Sequence, residues 1–264
     1  MAKSLITLTT DFGEADYYVA AMKGVILSVN PAAEIVDLTH QIPPHDIYAA
    51  AFMLKCCYGD FPKDTIHVVV VDPSVGSSRR PILIMTDNYR FVGPDNGVFS
   101  YIYQSEPVNR TVHFTTEHYF RSPVSNTFHG RDVFAPCAAY ISKPVEWRMM
   151  GEEISDPVRF NIPAPAALPD GRIRGQVIHI DRFGNVITNI TSAELTDAVA
   201  QAGARVRIGK QEAARLLTNF SEAAPNELFA YFGSAGFLEL AIPRQSAARL
   251  TEARRGAEVE VVGT

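Results

Sequence analysis

Apolar positions along the chain follow a strand–helix rhythm in the first half and a two-residue alternation in the second. Leu5 to Leu8 alternates as a strand does and ends at Thr9-Thr10-Asp11-Phe12-Gly13, an acid and a glycine at a strand terminus. From Asp16 to Val29 the apolar residues Val19, Met22, Val25, Ile26 and Val29 recur at helical spacing, and Asn30-Pro31 stops the helix. Ala33 to Leu38 predicts the next strand. A loop with Pro43-Pro44 follows, then an apolar helix from Ile47 to Tyr58 ending at Gly59. The run Val68 to Val71 fits a strand covered on both faces, and it breaks at Asp72-Pro73 into the loop Ser74 to Arg80. Pro81 to Met85 and Tyr89 to Gly93 predict a hairpin turning at Asp87-Asn88, Pro94 to Gly97 a further turn, Val112 to Phe114 a strand, and Val133 to Ile141 a helix.

Strand–helix–strand alternation up to Val71 predicts βαβ units and a mainly parallel sheet. Asn161 to Gly171, NIPAPAALPDG, holds three prolines and no period, which marks a boundary: an α/β domain over 1–162, a linker over 163–171 and a second domain over 172–264. In that second domain Arg174 to Ile180 and Val186 to Ile190 alternate around Asp181-Arg182-Phe183-Gly184-Asn185, as an antiparallel hairpin does. Glu227 to Phe232, Phe237 to Ile242 and Glu258 to Val262 predict further strands, with Gly233 to Gly236 as a tight turn and a helical insertion at Gln211 to Leu217.

Composition narrows the classes. A 264-residue chain with 47% hydrophobic and 20% charged residues is ordinary for a soluble globular protein. Its net charge of −5, with basic residues no denser than the pairs Arg79-Arg80 and Arg254-Arg255, argues against a nucleic-acid partner. No apolar run approaches a membrane span, and Met1 leads straight into a strand pattern without an apolar leader. The three cysteines form neither a disulfide framework nor a zinc pattern, so the expected setting is cytoplasmic and no metal site is expected.

Candidate chemistry gathers where strands end. In open α/β sheets ligands bind at the carboxyl ends of the strands, and Asp11 and Asp72 both stand there. His129 precedes a helix, Asp16 opens one, and Asp181 starts a turn. Singly, each is a cap or turn residue by default, and the two adjacent arginines would be solvated. Sequence alone leaves open whether Arg79 or Arg80 partners Asp72.

Read together, the surrounding words are specific. LTTDFG at Leu8 to Gly13, DLTHQIPPHD at Asp37 to Asp46, VVVVDPSVGSSRR at Val68 to Arg80, PDNG at Pro94 to Gly97, TFHGRDVFAP at Thr127 to Pro136, DRFGNVITNI at Asp181 to Ile190 and GSAGFLEL at Gly233 to Leu240 occur in order. Together they resemble the S-adenosyl-L-methionine hydroxide adenosyltransferases, also called SAM hydrolases, which are relatives of the fluorinase and chlorinase. That resemblance implies a smaller, all-β, barrel-like C-terminal domain and a homotrimer with active sites at subunit interfaces. It also implies hydrolysis of S-adenosylmethionine to adenosine and methionine, with no cofactor. By motif match the catalytic set is Asp72, Arg79 and His129. Asp11 matches the acid holding the ribose hydroxyls, Asp16 and Asp181 those holding the methionine ammonium, and Ser234 the donor to its carboxylate. Phe183 and Asn185 match the adenine-binding pair, and Phe220 is a candidate for the other face of the base.

Retention of all three catalytic matches, the short PDNG-to-TFHG segment and Gly130, where the fluorinase carries serine, favour hydrolysis over a halide-using adenosyltransferase. The retained Asp72, Arg79 and His129 also favour it over a protein that binds S-adenosylmethionine without turning it over. The chain departs from the family pattern at His45, which replaces an aromatic, and at Gly233 and Pro243, which replace asparagines.

Overall fold

A computed structural model describes residues 4–195 and 203–263, and the chain separates into two compact units, Met1–Asn161 and Ile162–Thr264. The first unit is built on seven strands: β1 (Leu5–Thr10), β2 (Glu34–Thr39), β3 (Ile66–Val70), β4 (Pro81–Thr86), β5 (Arg90–Pro94), β6 (Val108–Phe114) and β7 (Gly151–Glu153). They lie in the order β2-β1-β3-β5-β4-β6-β7. Pairing is parallel from β2 through β1 and β3 to β5, and antiparallel from β5 through β4 and β6 to β7. The expected mainly parallel sheet is therefore corrected to a mixed one. The β4–β5 hairpin lays its second strand parallel against β3, and β4, β6 and β7 follow it, each antiparallel to the strand before it in the sheet.

The alternating valines explain how this sheet is covered. Val68 and Val70 join Ile6, Leu8, Met22 and Ile26 in one core, packed by helix α1 (Tyr18–Val29). Val69 and Val71 join Ala50, Leu54 and Phe99 on the opposite face, packed by helix α2 (Ile47–Cys57). Each buried valine contributes about 1.5–3 kcal/mol through the apolar area removed from water. Asp46 begins α2 by accepting a hydrogen bond from Ala49 N at 2.9 Å. A short helix α3 (Ser100–Ser105), absent from the periodicity, follows the PDNG turn. The helix expected over Val133–Ile141 divides into a π-helical turn at Gly130–Phe134 and α4 (Ala135–Ile141).

In the second unit strands β8 (Ala166–Ala167), β9 (Ile173–Ile180), β10 (Val186–Thr191), β11 (Arg205–Ile208), β12 (Gln211–Ala213), β13 (Phe229–Phe232), β14 (Phe237–Ala241) and β15 (Glu258–Val262) form an antiparallel sheet. Its order is β12-β11-β15-β9-β10-β14-β13, with β8 alongside β9. Leu216, just past β12, bridges Ala230 on β13, so the sheet nearly closes into a barrel around Val177, Val186, Leu238, Leu240 and Val259. Helix α5 (Ala247–Thr251) carries Ala247 into that core. The helical insertion expected at Gln211 to Leu217 is no helix: Gln211–Ala213 is strand β12, and Ala214 to Leu217 are irregular apart from the bridge at Leu216. Gly209, at φ 57°, and Lys210 turn the chain so that Ile208 pairs with Gln211, and Glu212 meets Arg207 at 2.7 Å. That turn, not the apolar spacing that follows it, decides the local structure. The proline-rich segment after Asn161 lies on the second unit through the β8–β9 pairing and through Pro163 O, which accepts from Asn189 Nδ2 at 2.9 Å. Among the described residues no helix is long and apolar enough to cross a membrane.

Candidate active site

The β3–β4 loop brings the first set of candidates together. β3 ends at Val70, and Gly76, at φ 81°, sits where an added Cβ would overlap Asn126 O, so the loop Asp72 to Arg79 packs against the segment leading to His129. Within this fold Asp72 and Arg79, seven residues apart, face one another: Arg79 Nε donates to Asp72 Oδ1 at 3.1 Å and Oδ2 at 2.9 Å, and Nη2 donates to Oδ2 at 2.5 Å. Both side chains are nearly sealed, 6% and 5% exposed. Nη2 also lies 2.7 Å from His129 Nδ1, and the guanidinium stands 5.2 Å from the Phe134 ring centroid. Arg79 Nη1 is buried without a hydrogen-bond partner among the described residues, a donor held ready inside the protein.

This geometry fixes the state of His129. A guanidinium has no lone pair to offer, so Nδ1 is the acceptor of the Arg79 bond and a neutral ring carries its proton on Nε2. Burial, with the Arg79 charge beside it, lowers the His129 pKa below its ordinary value. At neutral pH the imidazole is therefore an Nε2–H donor.

Two features hold His129 in place. Gly130 is tightly enclosed, since a Cβ there would meet Phe128 at 3.2 Å, Met22 Sδ at 3.3 Å and Phe12 at 3.4 Å. Asp132, fully buried, takes Arg131 at 2.7 and 2.9 Å, Arg121 at 3.2 Å and Ser125 N at 2.9 Å, tying the segment before His129 to the π-helical turn after it. Asp132 stands inside the TFHGRDVFAP motif, and nothing in its local sequence marks this bracing role. Arg80 is engaged elsewhere: it grips Asp95 at 2.6 and 2.9 Å and Asp156 at 2.8 Å.

A cavity of about 300 Å³ in the first unit is lined by Asp11, Phe12, Tyr18, His45, Asp72 and Thr127, among others. Arg79 and His129 are not among its lining residues, so Asp72 is the member of the set shared with the cleft. Asp11 Oδ2 accepts His45 N at 2.8 Å, leaving Oδ1 open, while His45 holds φ 67° to make that bond. Asp16 is exposed before α1 and does not line this cavity.

The second set meets in one cleft of about 1270 Å³ on the second unit, lined by Asp181, Phe183, Asn185, Phe220, Ser234 and Glu239 together with their neighbours. Asp181 organises its own turn, accepting Phe183 N at 2.9 Å, Asn185 N at 2.8 Å and Asn185 Nδ2 at 2.8 Å. The last bond orients the Asn185 amide and leaves its oxygen as an unused acceptor. Phe183 projects with 78% of its surface exposed, a bare aromatic face on the cleft. Tyr231 and Glu239 also line this cleft and were not singled out from the sequence, because Glu239 falls between Leu238 and Leu240 and has the ordinary pattern of a solvent-facing strand residue. Among the described residues no three His, Cys, Asp or Glu side chains are gathered as a metal site requires.

The profile of the SAM hydroxide adenosyltransferase N-terminal domain matches residues 6–151, and that of the SAM hydroxide adenosyltransferase C-terminal domain matches residues 175–260. The chain belongs to the SAM hydroxide adenosyltransferase family. Within it, the (R)-S-adenosyl-L-methionine hydrolase of Methanocaldococcus jannaschii is 36% identical over 268 residues, spanning 98% of this chain and 95% of the relative. The enzyme of the same name from Thermus thermophilus is 35% identical, spanning 96% and 97%. Among solved structures, an uncharacterized conserved protein from Thermotoga maritima superposes with a TM-score of 0.89 at 34% identity, covering 97% of this chain and 99% of that one. Both units of this SAM hydroxide adenosyltransferase thus carry their residue sets on the family's own two domains.

Proposed function

We propose that the protein hydrolyses S-adenosyl-L-methionine to adenosine and L-methionine by attack of water on the ribose C5′. The observation that carries this reading is the buried Asp72–Arg79–His129 chain of hydrogen bonds, in which Arg79 engages both the Asp72 carboxylate and His129 Nδ1. The reaction suits such a set. The C5′–S bond breaks with its electron pair going to sulfur, the sulfonium leaves as a neutral thioether, and water forms the C5′–O bond and loses a proton to solvent. Departure needs no general acid, so catalysis rests on aligning the water and stabilising the negative charge that grows on its oxygen. Arg79 supplies Nη1–H and its positive charge, Asp72 fixes the guanidinium, and His129 donates from Nε2. Since Nδ1 is committed to Arg79, His129 positions the water and does not accept its proton.

In this reading Asp11 holds the ribose hydroxyls, Phe183 stacks on adenine, Asn185 accepts from the exocyclic amine, Ser234 meets the methionine carboxylate, and Asp16 and Asp181 meet the ammonium. No cofactor is required. A cytoplasmic homotrimer, the first unit of one subunit facing the second unit of a neighbour, is part of the same proposal, and sedimentation of the purified protein tests it. For the reaction, incubation with S-adenosylmethionine in ¹⁸O-labelled water is expected to give methionine and adenosine labelled at the 5′-oxygen. Neither product above a no-enzyme control, or turnover only with added halide, would sink the proposal.

A pH dependence follows from the lowered pKa of His129. Protonation at Nδ1 removes the acceptor for Arg79 and sets two cations against each other. Turnover at saturating substrate is expected to be level above neutrality and to fall as pH drops through a midpoint below the ordinary histidine value of about 6.5. An acid limb centred at or above that value would contradict the neutral, donating role.

A further inference from the structure

The second-unit cleft contains a carboxylate that the family resemblance does not account for. Glu239 lies on β14 with its side chain directed away from the barrel core, cross-strand from Tyr231 and beside Ile187. Tyr231 Oη donates to Glu239 Oε2 at 2.5 Å, which anchors one oxygen. The other, Oε1, occupies the position that a side chain at residue 233 would take, for an ideal Cβ on Gly233 would overlap it. Glycine at 233 is what lets the carboxylate lie there. Oε1 makes no hydrogen bond among the described residues, although the cleft around it is polar and includes Asp181 and Ser234. A chain with asparagine at 233 would place a neutral amide in the space where this chain holds an anionic oxygen.

We infer that Glu239, admitted by Gly233 and anchored by Tyr231, is a specificity-determining residue that recognises the α-ammonium group of the substrate. The inference rests on the proposed S-adenosylmethionine reading of the same cleft. Its physical basis is that a charge-assisted hydrogen bond from an ammonium is about twice as strong as a neutral one, and that a carboxylate with one oxygen already fixed loses little freedom on binding. Burial raises the Glu239 pKa, the Tyr231 hydrogen bond offsets part of that rise, and the Asp181 charge adds to it. An ammonium placed beside the two carboxylates relieves their mutual repulsion.

The test compares the wild type with Glu239→Gln, which keeps the shape and the Tyr231 contact but removes the charge, and with Gly233→Ala, which displaces an unaltered carboxylate. Two ligands are used: S-adenosylmethionine, and 5′-deoxy-5′-(dimethylsulfonio)adenosine, which keeps the sulfonium and lacks the amino acid. For each protein KM and kcat are measured, and Kd is measured by calorimetry. Both substitutions are expected to raise KM and Kd for S-adenosylmethionine about tenfold, to leave kcat within about twofold, and to leave Kd for the truncated sulfonium unchanged. Equal weakening of both ligands, or unchanged affinity for S-adenosylmethionine in Glu239→Gln, would overturn the inference. A wild type that binds S-adenosylmethionine but releases no adenosine would refute the hydrolytic reading alone, because the comparison of Kd values still scores Glu239. A wild type that binds neither ligand would refute both.

Discussion

Arg79→Ala is expected to lower kcat by about 10²–10³-fold, the usual consequence of removing one preorganised donor from a developing anion. The loss should appear in kcat more than in KM, because the water and not the bound nucleoside loses its partner. Stability should fall as well. Asp72 is 5% exposed, and removing the guanidinium leaves its carboxylate buried and unpaired, which costs about 3–5 kcal/mol. Arg79→Lys separates the two effects: an ammonium can pair with Asp72 and so recover stability, but one point charge cannot also reproduce the paired contacts and the contact to His129 Nδ1, so turnover should stay low. Arg80→Ala is the matching control. Its guanidinium is bound to Asp95 and Asp156, so kcat is expected within a few-fold of wild type. Steady-state kinetics on the three variants decides the assignment, and a larger loss of kcat in Arg80→Ala than in Arg79→Ala would reverse it.

Asp132→Ala is expected to weaken folding and catalysis together. Its carboxylate is fully buried and accepts from two arginines and one backbone amide, so its removal leaves Ser125 N without its acceptor and the two partly exposed arginines without their anion, which is expected to cost about 1–3 kcal/mol by urea unfolding. Turnover of the folded fraction should drop too, because Ser125 and Arg121 belong to the segment that places Thr127 in the first cleft and His129 against Arg79. Asp132→Asn retains part of the hydrogen bonding and should fall between wild type and alanine in both measurements. Unchanged unfolding free energy in Asp132→Ala would show that the segment is held by something other than this carboxylate.

Much of the first unit was legible because its periods are unmixed. The valine run, the helix ending at Asn30-Pro31 and the hairpin at Asp87-Asn88 each depend on local sequence. Pairing partners do not, and the mixed character of the sheet comes from where the β4–β5 hairpin docks, a contact no local pattern encodes. The strand at Gln211–Ala213 was hidden for a related reason: its cross-strand partners Val206, Arg207 and Ile208 fix it, while its own residues suit a helix equally well. In the candidate site, Asp72 and Arg79 were legible as neighbours in one loop, but the choice between Arg79 and Arg80 required their partners. Glu239 escaped because its meaning depends on the missing side chain at 233.

The two adjacent arginines carry one further consequence. Arg79 closes on Asp72 and Arg80 on Asp95, and Arg80 O accepts Asp95 N at 2.9 Å as β4 begins. Deleting one residue between Ser74 and Ser78 would put Arg80 at the spacing from Asp72 that Arg79 now holds, and inserting one would put Ser78 there, with charge and composition almost unchanged. The length of this loop is therefore under as much constraint as its chemistry, and natural variation here should take the form of substitutions and not of gaps.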